Sequence, residues 1–218
     1  MIIRLIKIIS KISIFSLIGV AFNVIFIYTF MRLWTHPQID DIELIYNLTV
    51  LMVFEFIMAH SSMYMHSLGR SWKSWLFFIF LYGIFALLYN TFTHGNQILI
   101  LYGAVVLNRM LPNILNKRKT DRKEGLTISG LYALIYFMLF MILVGNASYI
   151  PRMGLTDDFL KTANYYIFAV DTGSFGIFTS SPQLPMCFGA LYYLLITLLD
   201  VISMIYDAHK RIKQQLKQ

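Results

Sequence analysis

The sequence predicts an all-α polytopic integral membrane protein of about six transmembrane helices, with both termini cytoplasmic. Three observations carry that expectation. The chain has 218 residues, of which 58% are hydrophobic and 13% charged, whereas ordinary globular chains hold about 45–50% apolar and roughly 25% charged residues. Six stretches approach the roughly 20 mostly apolar residues that a helix needs to cross a bilayer. Fourteen of the eighteen Lys and Arg residues fall in alternate gaps between those stretches. Loops rich in Lys and Arg resist translocation and stay on the cytoplasmic side.

Taken in order, residues 1–11 place Ile and Leu among Arg4, Lys7 and Lys11, the pattern of an amphipathic lead-in at the inner surface. The first predicted span, 12–34, is longer than the apolar region of a signal peptide, about 7–15 residues, and no Ala-x-Ala site follows it. It reads as a retained helix. The second span, 44–66, follows Asp40, Asp41 and Glu43 and ends before Arg70 and Lys73. The third, 74–92, turns at Thr93-His94-Gly95-Asn96 into the fourth, 98–115. A basic loop follows, with Lys117, Arg118, Lys119, Arg122 and Lys123, before the fifth span, 126–149. The sixth, 186–206, ends before Lys210, Arg211, Lys213 and Lys217. Trp34, Trp72 and Trp75 lie at predicted helix ends, where indole rings favour the headgroup layer. Between the fifth and sixth spans, residues 150–185 form a long extracytoplasmic loop punctuated by Pro151, Gly154, Gly173, Gly176, Pro182 and Pro185. Its apolar run Tyr165–Val170 suits either an interfacial helix capping the bundle or a re-entrant lid. The whole of 1–218 reads as one transmembrane domain.

Composition narrows the function classes. The net charge of +7 follows from the cytoplasmic bias of the basic residues, with anionic lipid headgroups as counter-charge. No basic face interleaved with aromatics indicates nucleic acid. Cys187 is the single cysteine, so no intramolecular disulfide or thiol metal cluster is expected. Mean hydropathy is +0.65, and the Ile- and Lys-rich composition suggests a bacterial cytoplasmic (inner) membrane.

Ionisable side chains inside a bilayer are costly, so each marks a candidate site. Glu55, Arg109 and Asp200 fall in the second, fourth and sixth spans. Counted from the outer ends, they lie about eleven, eleven and fourteen residues down, within about 5 Å of one depth at about 1.5 Å of rise per residue. Asn108 and Asn23 join this intramembrane polar layer, and His60 lies near it in the second span. Glu55, Ser62 and Asn47 share one face of that span, whereas His60 sits about 140° around the helix from Glu55. The layer admits three readings: a buried salt bridge with Asn and Ser gluing the helices, a proton or ion path, or general acid–base catalysis.

Other signals carry less. Of His36, His60, His66, His94 and His209, only His60 is clearly intramembrane, and the His60–His66 spacing is unsuited to a one-face metal pair. No metal or cofactor is expected. Gly173-Ser174-Phe175-Gly176 puts serine in the wrong slot for the Gly-x-Ser-Gly turn of intramembrane serine proteases. The sequons at Asn47 and Asn146 lie in or near the membrane, and the twelve Met residues read as adaptable helix packing.

The functional expectation is a non-catalytic membrane component, a scaffold or sensor, whose basic inner loops dock a cytosolic partner. A small oligomeric permease or channel for an ion or proton is the alternative, and a lipid-modifying membrane enzyme comes third. Membrane lipids and a homo-oligomer or protein partner are the expected associations. The orientation is directly testable. Cysteines placed in the 116–125 loop should react with impermeant thiol reagents only once the cytoplasmic side is opened, and cysteines near Asp157 should react from outside. Reversed labelling would overturn the orientation.

Overall fold

A computed structural model of the chain describes residues 14–68, 72–90, 99–100, 103, 122–171 and 176–215. Among these residues all regular structure is helical, with no strand. The long helices are α1 (Ile14–Thr35), α2 (Ile42–Leu68), α3 (Trp72–Asn90), α4 (Arg122–Gly145) and α8 (Gln183–Gln215). Between α4 and α8 lie the short helices α5 (Asp157–Thr162), α6 (Tyr165–Asp171) and α7 (Ile177–Ser180). Among the described residues, three stretches are long and apolar enough to cross a membrane: Ser16–Thr35, Leu126–Gly145 and Gln183–Lys210. A shorter apolar stretch, Ile79–Leu88, lies within α3. The predicted lead-in 1–11 and nearly all of the predicted fourth span, Asn108 and Arg109 included, lie outside the described residues.

Helix ends depart from the sequence expectation where polarity and backbone preference part company. The last helix begins at Gln183 rather than 186 because Pro185 falls in its first turn, where an amide hydrogen has no intrahelical acceptor to lose. It also runs on to Gln215, well past the apolar stretch, since Lys, Arg and Gln are good helix formers in water. The fifth expected span closes early, at Gly145. There the Asn146 backbone and side-chain amides both donate to the Ile142 carbonyl, at 3.1 and 2.8 Å, and end the helix in a turn.

The last helix, α8, is the centre of the packing. Phe30 of α1 lies over Gly189, where a Cβ would come within 2.4 Å of the ring. Lower on the same pair, Phe26 stacks on Tyr193 with centroids 4.8 Å apart. Asn23 then meets Asp200, so α1 and α8 run antiparallel. Helix α4 is antiparallel to α8 as well, with Tyr136 against Phe188 and Tyr192 at 4.7 and 5.1 Å. The Tyr136 hydroxyl donates to the Met52 carbonyl of α2, and Phe54 of α2 meets Tyr82 of α3. The interior therefore mixes large aromatics with buried Asn23, Asn47, Thr49, Glu55 and Ser129. The outward faces are apolar instead, as at Tyr28, Phe80, Leu134 and Ile202, each more than half exposed. Polar groups inside and an apolar belt outside is the arrangement that lipid demands.

Residues 150–171 close one end of the bundle. The Trp34 indole donates to the Pro151 carbonyl at 2.9 Å, and Gly154 N–H donates to the Trp34 carbonyl at 3.0 Å. Only glycine fits at 154, because a Cβ would sit 2.3 Å from Pro37 Cδ and 2.6 Å from the Thr35 carbonyl oxygen. Thr156 caps α5 through its hydroxyl, and Asn164, at φ 55°, ends it in the left-handed conformation that asparagine tolerates. Leu155, Leu160 and Tyr165 are fully or almost fully buried beneath. Arg152 pairs with Asp157 on the exposed rim, and that hydrogen bond raises the guanidinium pKa above its usual value. A second ion pair, Arg32 with Asp41 at 2.7 Å, ties the end of α1 to the start of α2.

A pair of glycine substitutions tests this packing. Overfilling a tight contact typically costs about 1–3 kcal/mol, so Gly189→Ala should lower the melting temperature of the detergent-solubilised protein. Gly130→Ala, whose Cβ meets nothing within 4 Å, should leave it unchanged or slightly raised. Equal effects would show that the α1–α8 contact at Phe30 is not tight.

Candidate functional site: two carboxylates held by tyrosines

Among the described residues, the acidic side chains of Glu55 and Asp200 reach the bundle interior, each held from neighbouring helices. Glu55, on α2, has no solvent exposure. The Tyr193 hydroxyl of α8 donates to its Oε1 at 2.6 Å. The phenol is fixed by packing on its other side, where its ring stacks on Phe26 and Phe30 of α1 at 4.8 and 5.9 Å. Position i and i+4 on α1 thus form a floor for the ring that carries the donor. Asp200, half-buried on α8, accepts from two helices: Asn23 Nδ2 of α1 donates to Oδ2 at 3.2 Å, and the Tyr132 hydroxyl of α4 donates to Oδ1.

Tyr193 and Asp200 lie on one face of α8, about two turns or roughly 10 Å of rise apart. The two carboxylates are therefore served by one face of one helix, at two successive levels. Tyr132 and Tyr136 repeat this on α4: the first reaches Asp200, and the second reaches the α2 backbone at Met52. The arrangement links α1, α2, α4 and α8 through oxygen and nitrogen atoms as well as through apolar contact.

The sequence-predicted residues fare differently. Asn23 and Asp200 meet directly, and Glu55 joins the same α8 face through Tyr193. His60 is within α2, but its side chain lies outside the described set. Arg109, Asn108, Lys117, Arg118 and Lys119 also lie outside the described residues. The backbones of Arg122 and Lys123 form the first turn of α4, with their side chains likewise outside. Tyr132, Tyr136 and Tyr193 were absent from the sequence expectation. A usable signal was present: a phenol that is buried needs a hydrogen-bond partner, and mid-helix tyrosines beside mid-helix acids supply one another's requirement.

Among the described residues, no group of three or more His, Cys, Asp or Glu side chains could hold a metal ion. Cys187 is buried in α8. Chemically, the arrangement offers neutral donors to acidic acceptors in a water-poor interior. No protein-family model matches the chain, and no curated protein or solved structure matches it either.

Removing a donor from a buried acceptor costs about 1–3 kcal/mol, so Tyr193→Phe should destabilise the bundle by that order. Contacting residues couple by about 0.5–3 kcal/mol, and a thermal-stability cycle of Tyr193→Phe with Glu55→Leu should show it. Strictly additive effects would mean that the phenol and the carboxylate do not stabilise one another.

Proposed function

We propose that this chain is a six-span, non-catalytic component of a bacterial cytoplasmic membrane, with both termini cytoplasmic. It acts as a scaffold or sensor that docks a cytosolic partner through the basic loop bearing Lys117, Arg118, Lys119, Arg122 and Lys123. Assembly as a homo-oligomer belongs to the same proposal. The single observation that carries it is the way Glu55 is held: it is fully shut off from solvent and fixed by a phenol that is itself clamped between helices. A side chain that binds and releases an ion must exchange partners, and a fully enclosed carboxylate on a stacked ring is suited to holding instead. Polar pairs of this kind orient and register transmembrane helices.

Reconstituted vesicles with a pH-sensitive dye provide the test. The wild-type protein should give no proton flux above that of empty vesicles, and Glu55→Gln should change thermal stability alone. A pH-dependent flux in the wild-type protein, lost in Glu55→Gln and Asp200→Asn variants that still insert, would overturn the proposal. That result would establish the permease reading.

A further inference from the structure

The cap segment has one face turned away from the bundle, and its position along α2 says what covers it. Phe168 meets Tyr46 edge-on at 5.3 Å, and one turn earlier the buried Tyr165 phenol lies near Thr49 without a hydrogen-bond partner of proper geometry. Helix α6 therefore runs antiparallel to α2, alongside its first two turns. Thr49 lies about 12 Å along α2 from Asp41, at about 1.5 Å of rise per residue. Asp41, with Arg32, marks the polar end of the bundle. So α6 starts well below that ion pair and climbs back towards it. Tyr165 and Ala169 face inwards and are buried, while Ile167 and Val170 face outwards at 61% and 60% exposure. The exposed charges Arg152, Asp157, Asp158 and Lys161 all precede α6, which itself ends at Asp171.

We infer that α6 is a membrane-embedded element: its Ile167–Val170 face contacts lipid at the headgroup–acyl boundary of the leaflet on the cap side. Two independent features lead there. The helix lies level with α2 residues 46–49, about two turns inside the Arg32–Asp41 end, and up to its terminal Asp171 it gives one apolar face to the bundle and leaves a second one outwards. A short helix apolar on both sides suits neither water nor a purely structural role at an aqueous surface. Apolar side chains buried about 5–10 Å into the interface are how amphipathic segments hold a bilayer. The cap would then be anchored twice, to the bundle through Trp34 and Gly154 and to lipid through α6. This inference rests on the reading that the long helices span a membrane.

Spin labels on single cysteines, introduced into a Cys187→Ala background and reconstituted in lipid vesicles, separate the two. Labels at Ile167 and Val170 should collide freely with oxygen. Their collisions with a water-soluble nickel chelate should be several-fold fewer than those of a label at Asp158. Labels at Leu134 and Ile202, on the outward faces of α4 and α8, are the reference for lipid exposure. If these two are shielded from nickel but Ile167 and Val170 match Asp158, the face is aqueous and the inference falls while the membrane reading stands. Shielding of Ile167 and Val170 from both reagents would also overturn it, because protein would then cover the face. Nickel access at Leu134 and Ile202 would overturn both readings together.

Discussion

A carboxylate inside an apolar bundle has to find its hydrogen-bond donors on adjoining helices, because lipid supplies none. That requirement organises this molecule around α8. Asp200 draws Asn23 from α1 and Tyr132 from α4, while Tyr193, farther up the same face, reaches Glu55 on α2. Each donor is on a different helix from its acceptor, so satisfying two acids specifies three helix neighbours. Apolar packing alone is permissive about register, since one Leu or Phe ridge fits many grooves. A hydrogen bond is not: a shift of one residue, about 1.5 Å of rise and 100° of rotation, would take Asn23 off Asp200.

The aromatic content serves the same end. Tyr193 needs both a donor position and a fixed ring, and Phe26 and Phe30 supply the second. Phe30 reaches that position only because residue 189 is glycine, which lets the ring approach the α8 backbone. Small and large residues are thus paired across the α1–α8 contact, as close approach of transmembrane helices requires. The hydroxyl of Tyr136 does comparable work on the α2 side by donating to the Met52 carbonyl.

Much of this was legible in the sequence. Helix class, the long apolar stretches and the break at 150–185 follow from hydropathy and from Gly and Pro placement, because lipid imposes a strong, local constraint on composition. Asn23 and Asp200 were legible as polar residues at comparable depth, and the structure brings them together. The partners were harder, because depth along a helix says nothing about which helices adjoin. Tyrosine was overlooked as well: it counts as hydrophobic in a hydropathy sum, and so Tyr132 and Tyr193 vanished into their spans. Pro185 misled in the opposite direction. Proline reads as a break, yet in the first turn of α8 it is tolerated, and the helix begins before it.

The cap shows how far local constraints can determine a segment that hydropathy leaves undefined. Residues 150–171 lack a span-length apolar run, but they are pinned at successive points. Trp34 holds Pro151, the turn at Gly154 fits only without a side chain, Thr156 starts α5 and Asn164 ends it. Once α5 ends there, Tyr165 enters the core and Phe168 meets Tyr46 four residues after α2 begins. With its inward face committed to α2, α6 turns its Ile167–Val170 face to the surroundings. Its outward face must take whatever medium surrounds α2 at that level. On the inference that α6 lies in lipid, the same solvent that forces Glu55 and Asp200 to find internal partners would also receive Ile167 and Val170.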